Sequence, residues 1–192
     1  MPTDTYRTIA NPVEGIYKDK GSKFLAFAFP VSDKHQAEEY VAGLRKKYFD
    51  ARHHCYAYRI GENEFRINDD GEPSGTAGKP IYGQILSQDI TNILIVVVRY
   101  FGGTLLGTSG LIKAYKNATA DALQNASIIE CVRTSTLTIN FPYEKTSAVM
   151  KILKDNDIIP PKPLYNESGT CTMEIEVRLR DYERIKSEVA EF

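Results

Sequence analysis

The sequence has no excess of either charge: 24 Lys and Arg stand against 25 Asp and Glu, for a formal net charge of −1. A protein that coats DNA without regard to sequence is usually far more basic, so a nucleic-acid role has to come from a local patch. No apolar run approaches the roughly 20 residues that span a bilayer. The N-terminal stretch "MPTDTYRTIANPVEG" lacks the apolar core of a secretory signal. Cysteine is scarce, and Cys55, Cys131 and Cys171 lie far apart with no CxxC pair. That spacing excludes a disulfide frame or a zinc knuckle and leaves reduced thiols, as expected of a cytoplasmic protein without membrane association. Tryptophan is absent, which decides nothing.

What is there suits an ordinary globular chain: 42% hydrophobic and 26% charged residues over 192 positions, enough for one large domain or two small ones. "NPVEGIYKDKGSKFLAFAFPV" reads as two strands around Lys20-Gly21, with Phe24, Ala26 and Ala28 on one face. "SDKHQAEEYVAGLRKKY" predicts a helix burying Ala37, Tyr40, Val41, Leu44 and Tyr48, capped by Ser32 or Asp33. "RHHCYAYRIGENEFRIND" predicts a hairpin turning at residues 61–63, and "DDGEPSGTAGKP", residues 69–80, an exposed loop.

After a short helix (81–88), "NILIVVVRY" is apolar without alternation, the mark of a strand covered on both faces. A helix from about Ser109 to Gln124 follows, with Leu111, Ile112, Tyr115, Ala118, Ala122 and Leu123 inward. From Arg133 a second unit reads β-α-β-β-α. Leu137, Ile139 and Phe141 share one face, a helix carries Val149, Ile152 and Leu153, and "DIIPPKPLY" supplies an edge strand. In "TCTMEIEVRLR", Cys171, Met173, Ile175, Val177 and Leu179 alternate with polar residues, and a last helix closes the chain. That order is a split βαβ unit of ferredoxin-like type without its closing strand. The expected domains are 1–132 and 133–192.

The segment "RYFGGTLLGTSG" sits where nucleotide loops sit, after a strand and before a helix. Gly102, Gly103 and Gly107 do not give the glycine spacing of a dinucleotide fold, and Thr108 replaces the lysine of a Walker loop. A physical reading survives both failures. Thr108 and Ser109 stand at a helix start whose free N–H groups attract anions, Arg99 offers a fork, and Lys113 lies one turn on. The plainer alternative makes Thr108 or Ser109 the helix cap and pairs Arg99 with a buried acid. In "RHHCYAY", His53 and Cys55 share a strand face, which permits a Cys-His pair but lacks a third orienting group. Asp69, Asp70 and Glu72 could hold Mg²⁺ beside His53, although acids flanking a glycine are more often turn formers. No cofactor or metal is expected.

At "NILIVVVRYFGGTLLGTSGLIKAY" the chain resembles the IMPACT/YigZ family, through Arg99, Tyr100, Phe101, Gly102, Gly103, Leu106 and Gly107. "SKF" at residues 22–24, "ARHHCYAY" at 51–58 and "DDGEPSGTAGKPI" at 69–81 extend the likeness. The resemblance implies an α+β protein. Its first domain would have the left-handed βαβ fold of a ribosomal protein and of elongation factor G domain four, and its second would be ferredoxin-like, as in domain five. It also implies a fold kinship with GHMP small-molecule kinases, which by itself confers no activity. Eukaryotic members restrain a translational stress kinase by competing for its activator, using an N-terminal RWD domain. This sequence shows no such domain, and that partner is not carried over.

The function expected is therefore a non-enzymatic, translation-linked and stress-related role, contacting RNA, the ribosome or a regulatory protein. The candidate contacts are Lys23, Arg52, His54, Arg99, Gly102, Gly103, Thr108, Ser109 and Lys113. Two alternatives differ in class. One is an enzyme acting on a phosphorylated small molecule at the Thr108–Ser109 helix end. The other is an interaction module working through Asp69, Asp70, Gly71, Glu72, Pro73, Ser74 and Gly75.

Overall fold

The computed structural model describes residues 4–166 and 169–190. The chain divides into two units. One is Arg7–Glu130, and the other is the chain from Cys131 onward together with its start through Tyr6. Strands β1 (Thr5–Ile9) and β7 (Ile128–Val132), which the sequence does not announce, pair with each other.

In the larger unit, β2 (Val13–Asp19), β3 (Ser22–Pro30), β4 (His53–Ile60), β5 (Glu64–Asn68) and β6 (Ile93–Tyr100) form one sheet in the order β2-β3-β6-β4-β5. All neighbours are antiparallel. The β2–β3 turn needs left-handed backbone at both central residues, and Lys20 and Gly21 supply it with φ of 43° and 81°. Strand β6 lies at the centre. Ile93, Ile95 and Val97 join the core under α2 (Gly78–Ser87) and α3 (Gly107–Gln124), while Leu94, Val96 and Val98 join the core under α1 (Lys34–Lys47). Helices on both faces explain why its apolar run does not alternate. Each such side chain contributes roughly 1.5–3 kcal/mol on burial.

Helix α1 starts where expected. Asp33, the cap, accepts from Gln36 N through Oδ1 (2.9 Å), and Gln36 Oε1 accepts from the N–H of Ser32, one residue before the cap (2.8 Å). Three details differ from the sequence reading. Helix α3 begins at Gly107, with Leu106 at its cap and no side chain bonded to the first turn, so neither Thr108 nor Ser109 is the cap. Ile112 is 43% exposed, because the inward stripe passes through Ala114 and Tyr115 instead. Residues 69–80 are not simply an exposed loop: Glu72, Thr76, Ala77 and Gly78 are buried.

The smaller unit contains β8 (Thr134–Pro142), α4 (Thr146–Asp155), β9 (Leu164–Tyr165), β10 (Thr170–Arg178) and α5 (Tyr182–Val189). Its sheet order is β8-β10-β9, all antiparallel. This is the strand order of a split βαβ unit, with the proline segment reduced to a two-residue edge strand. Cys171, Met173, Ile175 and Val177 face a core completed by Val149, Leu153, Ile185 and Val189. Leu179 was expected in that row but lies beyond the end of β10 and is half exposed.

Candidate functional site

The loop after β5 is organised by its acids. Asp69 Oδ1 accepts from Ala77 N (3.1 Å) and Gly78 N (2.8 Å), and Oδ2 accepts from Gly75 N (2.8 Å). It thereby caps α2, whose own cap residue, Ala77, has no polar side chain. Asp70 Oδ1 takes a hydrogen bond from Arg45 (2.6 Å) and Oδ2 one from His54 N (2.6 Å). Partial burial alone would raise the Asp70 pKa, but Arg45 and the His54 N–H outweigh it and hold the carboxyl below its ordinary value. These commitments leave Asp69 and Asp70 in structural roles rather than as a Mg²⁺ seat. Among the described residues no group of three or more His, Cys, Asp or Glu is placed to hold a metal ion.

Left-handed backbone at Asp70 and Gly71 turns the chain, and Glu72 enters the protein with its side chain 3% exposed. Glu72 Oε1 accepts from Arg99 (2.6 Å) and from the Tyr115 hydroxyl (2.8 Å). Its Oε2 lies 3.8 Å from His53 Nε2. His53 Nδ1 is 2.7 Å from the Asp70 carbonyl; a carbonyl only accepts, so Nδ1 carries a proton. The plainer of the two readings for Arg99 is the observed one. Its guanidinium is 5.4 Å from the Phe24 ring and 5.7 Å from the Phe101 ring, and the residue is 5% exposed. It is not a free fork on the surface, because a buried guanidinium needs a counter-charge and Glu72 provides it. Its Nε is buried with no hydrogen-bond partner among the described residues.

The Cys-His pairing does not form. Cys55 Sγ faces the Asp69 carbonyl (3.0 Å) and the Tyr115 hydroxyl (3.3 Å), and burial pushes its thiol pKa up, away from a reactive thiolate. Burial, then Cys55 and Glu72, push Tyr115 up as well. His54 is also not a surface cation. Its Nε2 lies 3.0 Å from the Tyr48 carbonyl, and burial lowers its pKa.

The other candidates are exposed. Lys23 stands in register opposite Tyr100 at the end of β6. Arg52, one residue before β4, donates its N–H to the Arg99 carbonyl (2.9 Å). Both therefore sit at the end of the sheet from which the glycine segment departs. Gly102 N donates to Ser22 Oγ (3.1 Å), and its Cα lies so close to Gly21 that a Cβ there would come within 1.9 Å of the Gly21 carbonyl carbon. Gly103 is exposed, Thr108 and Ser109 are exposed in the first turn of α3, and Lys113 is exposed in the second. In the loop, Gly71, Pro73 and Ser74 face solvent and Gly75 is half-buried.

A cavity of about 510 Å³ opens beside the ion pair, bounded by Arg52, His53, Arg99, Phe101 and the start of α3 among others. Sequence reasoning missed the joint role of Glu72, Tyr115 and Asp69. A buried tyrosine hydroxyl and an arginine ending a buried strand each call for an acceptor, and those two demands were the available signal.

The geometry defines a class: a two-unit α+β protein whose larger unit holds a buried Glu-Arg-Tyr web beside a cavity that the start of α3 also lines. The Impact N-terminal domain matches residues 20–123. The chain is 34% identical over 152 residues to an Escherichia coli protein named IMPACT family member YigZ, covering 77% of this chain and 74% of that one. It is 33% identical over 116 residues to a Saccharomyces cerevisiae protein named Protein IMPACT homolog, covering 56% of this chain and 43% of that one. A crystal structure titled as that of a hypothetical protein superposes with a TM-score of 0.77 at 28% identity, covering 99% and 93% of the two chains. The chain belongs to the IMPACT family. No helix among the described residues is long and apolar enough to cross a membrane.

Proposed function

We propose that this chain is a translation-linked binding protein whose Arg7–Glu130 unit meets RNA or the ribosome through one end of its sheet. The observation that carries the reading is the company kept there. Exposed Lys23 and Arg52 share that end with the glycine segment leading into α3. The first turn of α3 has no side-chain cap and exposes Thr108 and Ser109. Fixed N–H groups, the positive end of a helix dipole and two exposed cations suit phosphate groups. Family membership supports the link to translation regulation. The likeness of the two units to elongation factor G domains four and five is part of this same reading, as is a role in stress. The contact set is Lys23, Arg52, Gly102, Gly103, Thr108, Ser109 and Lys113, without Arg99 and His54.

The test is binding of the full chain to ribosomes and to a single-stranded RNA across a salt series. Each phosphate contact contributes a slope of about 0.7 in log K against log salt for a single strand. Lys23→Glu combined with Arg52→Glu is expected to weaken RNA binding by at least about tenfold and flatten that slope. Affinity that is unchanged from low to physiological salt overturns the reading.

A further inference from the structure

The strands that border the sheets differ in how their free edges are defended. An unpaired strand edge is a row of backbone donors and acceptors that another strand can join, and folded proteins blunt it with charge, proline or brevity. In the larger unit β2 carries Glu14, Lys18 and Asp19, and β5 carries Glu64 and Arg66. In the two-stranded sheet β1 carries Arg7 and β7 carries Glu130. Strand β9 is two residues long and follows Pro160, Pro161 and Pro163. Strand β8 is the exception. It runs nine residues, "TSTLTINFP", with no charge and no proline before its last position, and among the described residues its one strand neighbour is β10.

The register fixes which groups that edge offers. Just beyond the two ends of β8, Leu179 N donates to the Arg133 carbonyl and Tyr143 N to the Gly169 carbonyl, each at 2.9 Å. Bonded and non-bonded pairs alternate along an antiparallel ladder, so Ser135, Leu137, Ile139 and Phe141 turn their backbone groups to β10. The N–H and C=O groups of Thr134, Thr136, Thr138 and Asn140 point to the free edge, and all four residues are exposed. Backbone groups of this kind select an extended strand as the occupant, and the sequence of β8 selects its own copy. Antiparallel pairing of two β8 strands about Thr138 sets Thr136 opposite Asn140 on the wet face and Leu137 opposite Ile139 on the core face. No charge on one strand meets a charge on the other, and Thr pairs are favourable across strands. Pro142, which lacks an N–H, falls at the rim of the contact.

We propose that β8 is a self-association edge, through which two copies of this chain join their three-stranded sheets into one continuous antiparallel sheet. The contact is two-fold and uses the same strand of each copy, so it closes on itself. The outer borders of the joined sheet are then the two β9 strands, short and preceded by prolines, and growth stops at the dimer. The inference uses no residue of the larger unit and stands whether or not that unit binds RNA.

The experiment is sedimentation equilibrium of the full chain, without RNA, from about 1 μM to about 1 mM, where a monomer–dimer equilibrium with Kd below about 50 μM is expected. Amide exchange followed by NMR at about 30 μM and about 1 mM locates the contact. At the higher concentration the amides of Thr136, Thr138 and Asn140 are expected to exchange at least about threefold more slowly, while those of Leu137 and Ile139, already bonded to β10, change little. Thr138→Glu is expected to weaken the dimer at least about tenfold, because it sets two carboxylates opposite each other beside Glu174, the β10 residue in register with Thr138. Thr138→Pro removes the central outward N–H, a position an edge strand tolerates, and is expected to do the same. It keeps the test alive if Thr138→Glu folds poorly. The proposal is overturned by the mass of a single chain across the whole range, by a dimer that the folded variants leave as tight as the parent, or by exchange at Thr136, Thr138 and Asn140 that does not depend on concentration.

Discussion

Glu72 is a carboxylate in a place where carboxylates are seldom found, inside a protein and 3% exposed. Its charge is held by the Arg99 guanidinium at 2.6 Å and by the Tyr115 hydroxyl at 2.8 Å. Replacing such a pair by apolar residues of similar volume is often neutral, whereas removing one partner leaves an uncompensated charge in low dielectric. Glu72→Ala is therefore expected to cost about 3–5 kcal/mol. The double variant Glu72→Leu with Arg99→Met is expected to recover most of that loss. Urea unfolding of the three proteins measures it, and a Glu72→Ala midpoint equal to that of the parent would show that the pair holds nothing. The pair was only half legible in the sequence. An arginine ending a buried strand asks for an acid, but the acid lies 27 residues away in a stretch whose glycines and prolines read as solvent-exposed. Composition reports the average exposure of a segment, and one side chain turned inward does not change it.

At the scale of elements, the legible parts were those whose burial is periodic. Strand β6 reads as two-faced because helices cover both its sides, and β10 reads as one-faced because its outer side is wet. The start of α2 is set differently. No residue at its cap can bond its first turn, and Asp69 reaches it from the end of β5, across eight and nine positions of sequence. Local capping rules look three residues ahead and cannot see that reach. Asp69→Ala removes the acceptor of three backbone N–H groups at once. The expected cost is about 2 kcal/mol or more, at or above the upper end of a single cap. Asp69→Asn keeps one oxygen and is expected to lose less. Hydrogen exchange at Gly75, Ala77 and Gly78 checks the mechanism as well as the size. A loss of stability with protection at those three amides intact would place the effect elsewhere.

For the molecule as a whole, the organising fact is that the apolar side chains fall into cores that do not mix the two units. The two cores of the larger unit lie on opposite faces of its five-stranded sheet, and the third lies within the smaller unit. A second unit is expected from Arg133, because the strand-helix-strand-strand-helix rhythm starts again there. The pairing of β1 with β7 is not announced, since β1 mixes Thr, Arg and Tyr with one Ile and β7 is an apolar stretch left largely exposed, so neither five-residue strand carries a period strong enough to mark it. Separate cores imply separable stability. Leu153 on α4 is fully buried in the third core, and Leu153→Ala is expected to destabilise the smaller unit by about 2–5 kcal/mol through lost burial and the cavity left behind. Native-state hydrogen exchange read by peptide resolves where that loss falls. Amides of β8 and β10 are expected to exchange faster, by a factor that grows about tenfold for each 1.4 kcal/mol, while amides of β6 keep their protection. Equal loss in β6 would mean that the chain opens as one cooperative body, and the binding surface placed on the larger unit would then depend on the integrity of the smaller one.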